Sequence, residues 1–161
     1  MNTNNPPSNP QSSNISETVA PVGVIPGETV LILDFGSQYS QLIARRIREA
    51  GAFSILLAPN TSIEELASYQ PAGIVMSGGP SSVSAAGAPR CDERIFELGI
   101  PILGICYGMQ LGCELLGGKI EAAHAREYGR SVLTVLDTKG LFRGMPSDTA
   151  AWMSHGDQVE I

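Results

Sequence analysis

The sequence predicts an α/β fold built on a parallel sheet, with additional antiparallel strands towards its end. Three observations carry this. Short apolar runs alternate with amphipathic segments from residue 29 to residue 116, the spacing of strand–helix–strand units whose helices cover both faces of a sheet. The first run, residues 29–34 (TVLILD), is short, apolar from Val30 to Leu33 and rich in β-formers, the look of a strand buried on both sides. After residue 118 the pattern changes to alternating stretches, 119–123 and 131–137, which suit antiparallel strands.

Taken in order, residues 1–27 are rich in Asn, Pro and Ser and read as a disordered leader, because they offer too little apolar surface to offset the entropy of ordering. The domain is expected over 28–161. A helix is expected over 38–50, with Tyr39, Leu42, Ile43, Ile47 and Ala50 on its buried stripe, Arg45 and Arg48 turned outward, and Gly51 as its stop. Residues 53–58 read as the second strand. Residues 62–69 read as a short helix, with Ser62 as N-cap and Glu65 completing a capping box. The third strand is expected at 72–76, and a Gly/Ser/Ala-rich loop at 77–88. A helix is expected from Pro89 to about Leu98, then a fourth strand at 101–105 and a helix at 107–116 closed by Gly117 and Gly118.

Composition excludes several classes. The chain has 161 residues, 43% hydrophobic and 16% charged, which suits one globular domain with a core rather than a disordered polymer. Net charge is −6 with no basic stripe, so nucleic acid is not an expected partner. No apolar run approaches the roughly 20 residues needed to span a bilayer, so no membrane association is expected. The first cation is Arg45, which leaves no charged start for a secretory signal. The sequons at Asn14 and Asn60 therefore read as chance matches. Three cysteines, Cys91, Cys106 and Cys113, show no CxxC spacing. Neither a disulfide framework nor a zinc site is expected, and a reducing cytoplasm is the natural setting.

In parallel sheets ligands sit beyond the carboxyl ends of the strands. Three such ends carry unusual residues: Asp34-Phe35-Gly36-Ser37, Ser77-Gly78-Gly79-Pro80 and Cys106-Tyr107-Gly108. Gly104-Ile105-Cys106-Tyr107-Gly108, between an apolar strand and a helix, has the form of a nucleophile elbow with Cys for Ser. The glycines relieve crowding at a sharp turn, and the central residue is held strained with its side chain above the sheet. The sulfur would lie at a helix N-terminus, which favours thiolate. The competing reading is a small core cysteine. Cys113, two turns on, reads as core, and Cys91 has no elbow. Asp34-Phe35-Gly36 matches a kinase metal-binding triplet but has no partner motifs, and no G-x-G-x-x-G follows the first strand.

Four ordered stretches, Asp34-Phe35-Gly36-Ser37-Gln38-Tyr39, Ser77-Gly78-Gly79-Pro80, Gly104-Ile105-Cys106-Tyr107-Gly108-Met109-Gln110 and Met153-Ser154-His155-Gly156-Asp157, together resemble the class I glutamine amidotransferase family. Within it they resemble the branch carried by GMP synthetases. The resemblance covers residues 28–161 and implies a flavodoxin-like sheet, C-terminally incomplete here. It implies Cys106 as the nucleophile forming a thioester with glutamine, and backbone N–H groups of Gly79 and Tyr107 as the oxyanion hole. Gln110 and the backbone around Ser154 and Gly156 would hold the substrate, with no metal. It implies no cofactor for this domain, and ATP with Mg²⁺ for a synthetase (ATP pyrophosphatase) domain, fused or separate, that aminates XMP. The full enzyme would be a cytoplasmic homodimer. Gly79 is expected to let the loop backbone approach a ligand.

The family's nucleophile is partnered by a histidine and an acidic residue in a downstream His-Pro-Glu stretch, and the sequence ends at Ile161 before one. The polypeptide alone is therefore expected to turn over glutamine slowly or not at all. His124 reads as a surface residue and His155 as part of the substrate-side loop rather than the base. Two alternatives stand beside this reading: another amidotransferase or cysteine hydrolase of the same fold, and a non-catalytic module that binds glutamine or a partner domain.

Overall fold

The structure, a computed structural model, describes residues 24–160; for 122–128, 154–158 and 160 it describes the backbone only. Strand β1 (Thr29–Leu33) lies inside a four-stranded sheet. β2 (Phe53–Leu57) pairs with one side of it and β3 (Gly73–Met76) with the other, and β4 (Ile102–Gly104) is the edge beyond β3. All three pairings are parallel, so each chain reversal needs a crossover over one face of the sheet.

Burial follows from that position. Leu31, Ile32 and Leu33 are completely inaccessible, and each such side chain contributes about 1.5–3 kcal/mol of transfer free energy. Alternation splits them between two cores. Leu31 and Leu33 join Ile74, Met76, Leu66, Ile95, Tyr107 and Leu111 on one face, whereas Ile32 joins Val75 and Ala44 on the other. Helices thus cover both faces, as expected.

Helix α1 (Ser40–Glu49) covers the second face, but with only Ile43 and Ile47 of the stripe read from the sequence. Its buried residues are Ser40 and Ala44, with Ile43 and Ile47 half-buried beside them, while Tyr39 and Leu42 are 59% and 46% exposed. The small side chains let the helix lie close to the sheet, and the Ser40 hydroxyl donates to Asp34 Oδ1 at 2.7 Å. Size and a polar anchor, together with Ile43 and Ile47, select the inner face.

Helix α2 (Ile63–Ser68) starts at Ser62, whose Oγ accepts the Glu65 N–H at 3.1 Å. The helix expected from Pro89 is shorter and of 3-10 type, Glu93–Leu98. Asp92 caps it by accepting from Arg94 N, and Gly99 at φ 67° ends it. The preceding stretch cannot join the helix because it is tied elsewhere. The Tyr107 hydroxyl donates to the Pro89 carbonyl, and Arg90 pairs with Glu114 at 2.7 Å. Cys91 therefore lies before the helix rather than in its first turn.

Helix α3 (Tyr107–Leu115) leads into a ribbon of two antiparallel strands, β5 (Lys119–Thr134) and β6 (Asp148–Glu160). The two separate strands expected at 119–123 and 131–137 are parts of one, with a register irregularity between Ala122 and Glu127. β6 answers to no strand expected from the sequence. Val24 packs against the first core and Gly27 N–H donates to Gln70 O at 2.8 Å, so residues 24–27 belong with the domain rather than with the leader. Residues 1–23 of the expected leader lie outside the described residues. No helix among the described residues is long and apolar enough to cross a membrane.

Candidate active site

The elbow forms where β4 runs into α3. Cys106 has φ 47° and ψ −111°, in the region non-glycine residues enter at a cost of about 1–3 kcal/mol. The flanking glycines allow it. A Cβ on Gly104 would lie 2.5 Å from Met109 Cα, and one on Gly108 would fall on the Met76 carbonyl oxygen. The steric reading of the motif therefore holds. Cys106 O accepts the Gln110 N–H at 3.0 Å, the first bond of the helix, so the sulfur leaves the chain at the helix N-terminus.

The other two strand ends meet it. Gly78 lies beside the nucleophile: a Cβ there would be 3.7 Å from Cys106 Cβ and 3.6 Å from Ser37 Oγ. Gly36, at φ 94°, turns the first loop, with its N–H on Asp34 Oδ1 at 3.0 Å and Pro80 against its Cα. At Gly79 the missing Cβ makes room for protein rather than ligand, since a side chain would come 2.7 Å from the Phe35 carbonyl oxygen. Neither Gly79 N–H nor Tyr107 N–H has an acceptor among the described residues. Tyr107 N–H follows the nucleophile directly in sequence, and Gly79 follows the glycine that lies beside it.

Electrostatics departs from expectation. Burial pushes the Cys106 thiol above its ordinary value, with no cation among the described residues to offset it. The cause is desolvation: a half-buried thiolate loses water on one side. A raised value means the unreactive thiol persists to higher pH. Alkylation of Cys106 by iodoacetamide is therefore expected to be slow at pH 7 and to rise with a midpoint above the roughly 8.5 of a free thiol. Rates across pH 6–11, with the denatured chain as control, check this; a midpoint at or below the control contradicts it.

Gln110 is only 3% exposed, so it is no ordinary surface helix residue. Ser154 and His155 of β6 pair with Tyr128 and Glu127 of β5, and Gly156 follows in β6. The stretch expected as a loop is thus extended, and its side chains, like that of His124, lie outside the described ones. Cys113 is half-buried rather than fully core, and Cys91 packs against the first core, where burial raises its thiol too. Sequence reasoning marked the stretches that hold Ser77 and Phe35 but gave neither residue a role; both are buried at the site. A serine directly after an apolar strand was the available signal.

Residues 31–161 match the family model "Glutamine amidotransferase class-I". The chain belongs to the class I glutamine amidotransferase family. Its relatives include the glutamine-hydrolysing GMP synthase of Caldanaerobacter subterraneus, 56% identical over 134 residues, or 83% of this chain and 26% of that protein. The same enzyme of Bacillus velezensis is 55% identical over 132 residues, or 82% of this chain and 26% of the relative. The chain spans about a quarter of the length of these curated relatives. Among solved structures, a GMP synthase component from Thermoplasma acidophilum aligns with a TM-score of 0.67 and 27% identity, covering 81% of this chain and 66% of that one. A glutamine amidotransferase from Thermotoga maritima shares the fold, with a TM-score of 0.58 at 20% identity over 83% of this chain and 62% of its own. Amidotransferase membership agrees with the order of the four sequence stretches and with the parallel sheet that positions three of them.

Proposed function

We propose that this chain is the glutaminase portion of a GMP synthase. The observation that carries the reading is the strained Cys106 set beside Gly78, with the N–H groups of the two following residues, Gly79 and Tyr107, taken up by no acceptor among the described residues. Cys106 thiolate attacks the side-chain amide carbon of glutamine, and the carbonyl π pair moves to oxygen, where the two donors hold it. As the tetrahedral species collapses, the C–N bond breaks and nitrogen leaves as ammonia once it gains a proton. Water then cleaves the thioester to glutamate. Gln110 and the backbone from Ser154 to Gly156 hold the substrate. The ammonia passes to an ATP- and Mg²⁺-dependent synthetase domain that aminates XMP to GMP. The glutaminase part itself needs no cofactor, and the working enzyme is a cytoplasmic homodimer.

The leaving nitrogen and the attacking water both need a proton carrier, and no described side chain serves Cys106 as one. General acid–base groups contribute on the order of 10²–10⁴ in rate, so the 161-residue chain taken alone is expected to release ammonia from glutamine slower than a full-length GMP synthase by about that factor. A coupled ammonia assay on both proteins tests it. Equal turnover would mean that a base acts from within this chain.

A further inference from the structure

Ser77 is fully buried where β3 ends, and its backbone and hydroxyl are engaged both as donors and as acceptors. Its N–H donates to Leu33 O at 3.0 Å, and its carbonyl accepts from Gly108 N at 3.0 Å, in the first turn of the helix that carries the nucleophile. Its hydroxyl oxygen accepts the Phe35 N–H at 3.0 Å, and the hydroxyl hydrogen goes to the Gly78 carbonyl at 2.9 Å. The last bond matters most. Gly78 O and Gly79 N belong to one planar trans peptide, so a bond that fixes the carbonyl also fixes the N–H, pointing the opposite way. Glycine on both sides of that peptide gives it little intrinsic preference for one orientation over its flipped form. Among the described side chains, only Ser77 donates to that carbonyl.

We infer that Ser77 is a positioning residue for the oxyanion site: its hydroxyl holds the Gly78–Gly79 peptide in the orientation that turns Gly79 N–H towards Cys106. The inference rests on the glutaminase reading. Phe35 completes the clamp. Its N–H orients the Ser77 hydroxyl, its carbonyl lies against Gly79 Cα, and its ring packs 5.4 Å from that of Tyr107, the carrier of the second donor. One residue on β1's extension thus touches both halves of the site.

The test is Ser77→Ala in the 161-residue chain, read with two alkylators at matched pH. Iodoacetamide reports thiolate access alone. A chloroketone analogue of glutamine places a ketone oxygen where the amide oxygen would sit. Sulfur displaces chloride from the adjacent carbon, forming the S–C bond as C–Cl breaks, and the oxyanion donors polarise the ketone. The variant is expected to lose on the order of 10–100-fold in chloroketone rate at Cys106, with the iodoacetamide rate held within about twofold. Equal loss with both reagents, or none with the chloroketone, overturns the inference. Should Ser77→Ala fail to fold, Ser77→Cys fills the same space with a weaker donor and is expected to show the same selective loss, smaller in size; an unselective one is again fatal. If the unaltered chain shows no preference of the chloroketone for Cys106 over Cys91 and Cys113, the glutaminase reading itself fails and this inference with it.

Discussion

Replacing Cys106 with alanine, in a longer protein that carries this chain, is expected to lower glutamine-dependent GMP formation by on the order of 10⁴–10⁶. Formation from free ammonium salts should persist. The size of the loss follows from the chemistry. Without sulfur no thioester can form, and the remaining donors can only stabilise a tetrahedral species that nothing generates. Alanine removes one heavy atom from a half-buried position, so the fold should survive. Cys91→Ala and Cys113→Ala serve as controls. Neither residue lies at an elbow, and each should retain glutamine-dependent activity. Comparable loss in all three variants would mean that the cysteines matter for packing rather than chemistry.

The second large effect is on stability. Gly108→Ala places a methyl group on the Met76 carbonyl oxygen and against its Cβ, in backbone that cannot yield without moving β3 or α3. Overpacking of this kind costs about 3 kcal/mol, a large share of the roughly 5–15 kcal/mol a domain possesses. Urea unfolding should show its midpoint lowered by about 1–3 M, given slopes near 1–3 kcal/mol per M. Gly117→Ala is the comparison. Its φ of 86° strains an alanine, but nothing lies within 4 Å, so about 1 kcal/mol is expected. If the two variants cost the same, the elbow is not tightly packed. Then the strain at Cys106 has no steric origin.

Much of the fold is legible in the sequence because the reporting residues are local. The apolar run that becomes β1, the Ser62 cap and the glycines around Cys106 each announce their structure within a few positions. Three features are not legible, each for a tertiary reason. The inner face of α1 is chosen by Ser40 and Ala44, whose small size matters only once the sheet is present. The start of the helix after Pro89 is delayed by bonds that Pro89 and Arg90 make to Tyr107 and Glu114, 18 and 24 residues further along the chain. Strand β6 is held by backbone pairing with β5, and its own stretch carries no clear alternation to announce it. At the site, the nucleophile is evident from the motif, but the roles of Ser77 and Phe35 emerge only from hydrogen bonds and contacts that link three separate strand ends. The motif announces the N-terminus of α3 but not the burial that raises the Cys106 thiol.

The most direct measurement is where a glutamine-like electrophile attaches. The chain is treated with the chloroketone analogue, digested, and each cysteine peptide weighed by mass spectrometry, with and without excess glutamine. The account predicts label on Cys106, reduced by glutamine, and little on Cys91 or Cys113. Label spread evenly over the three, or unaffected by glutamine, would contradict it.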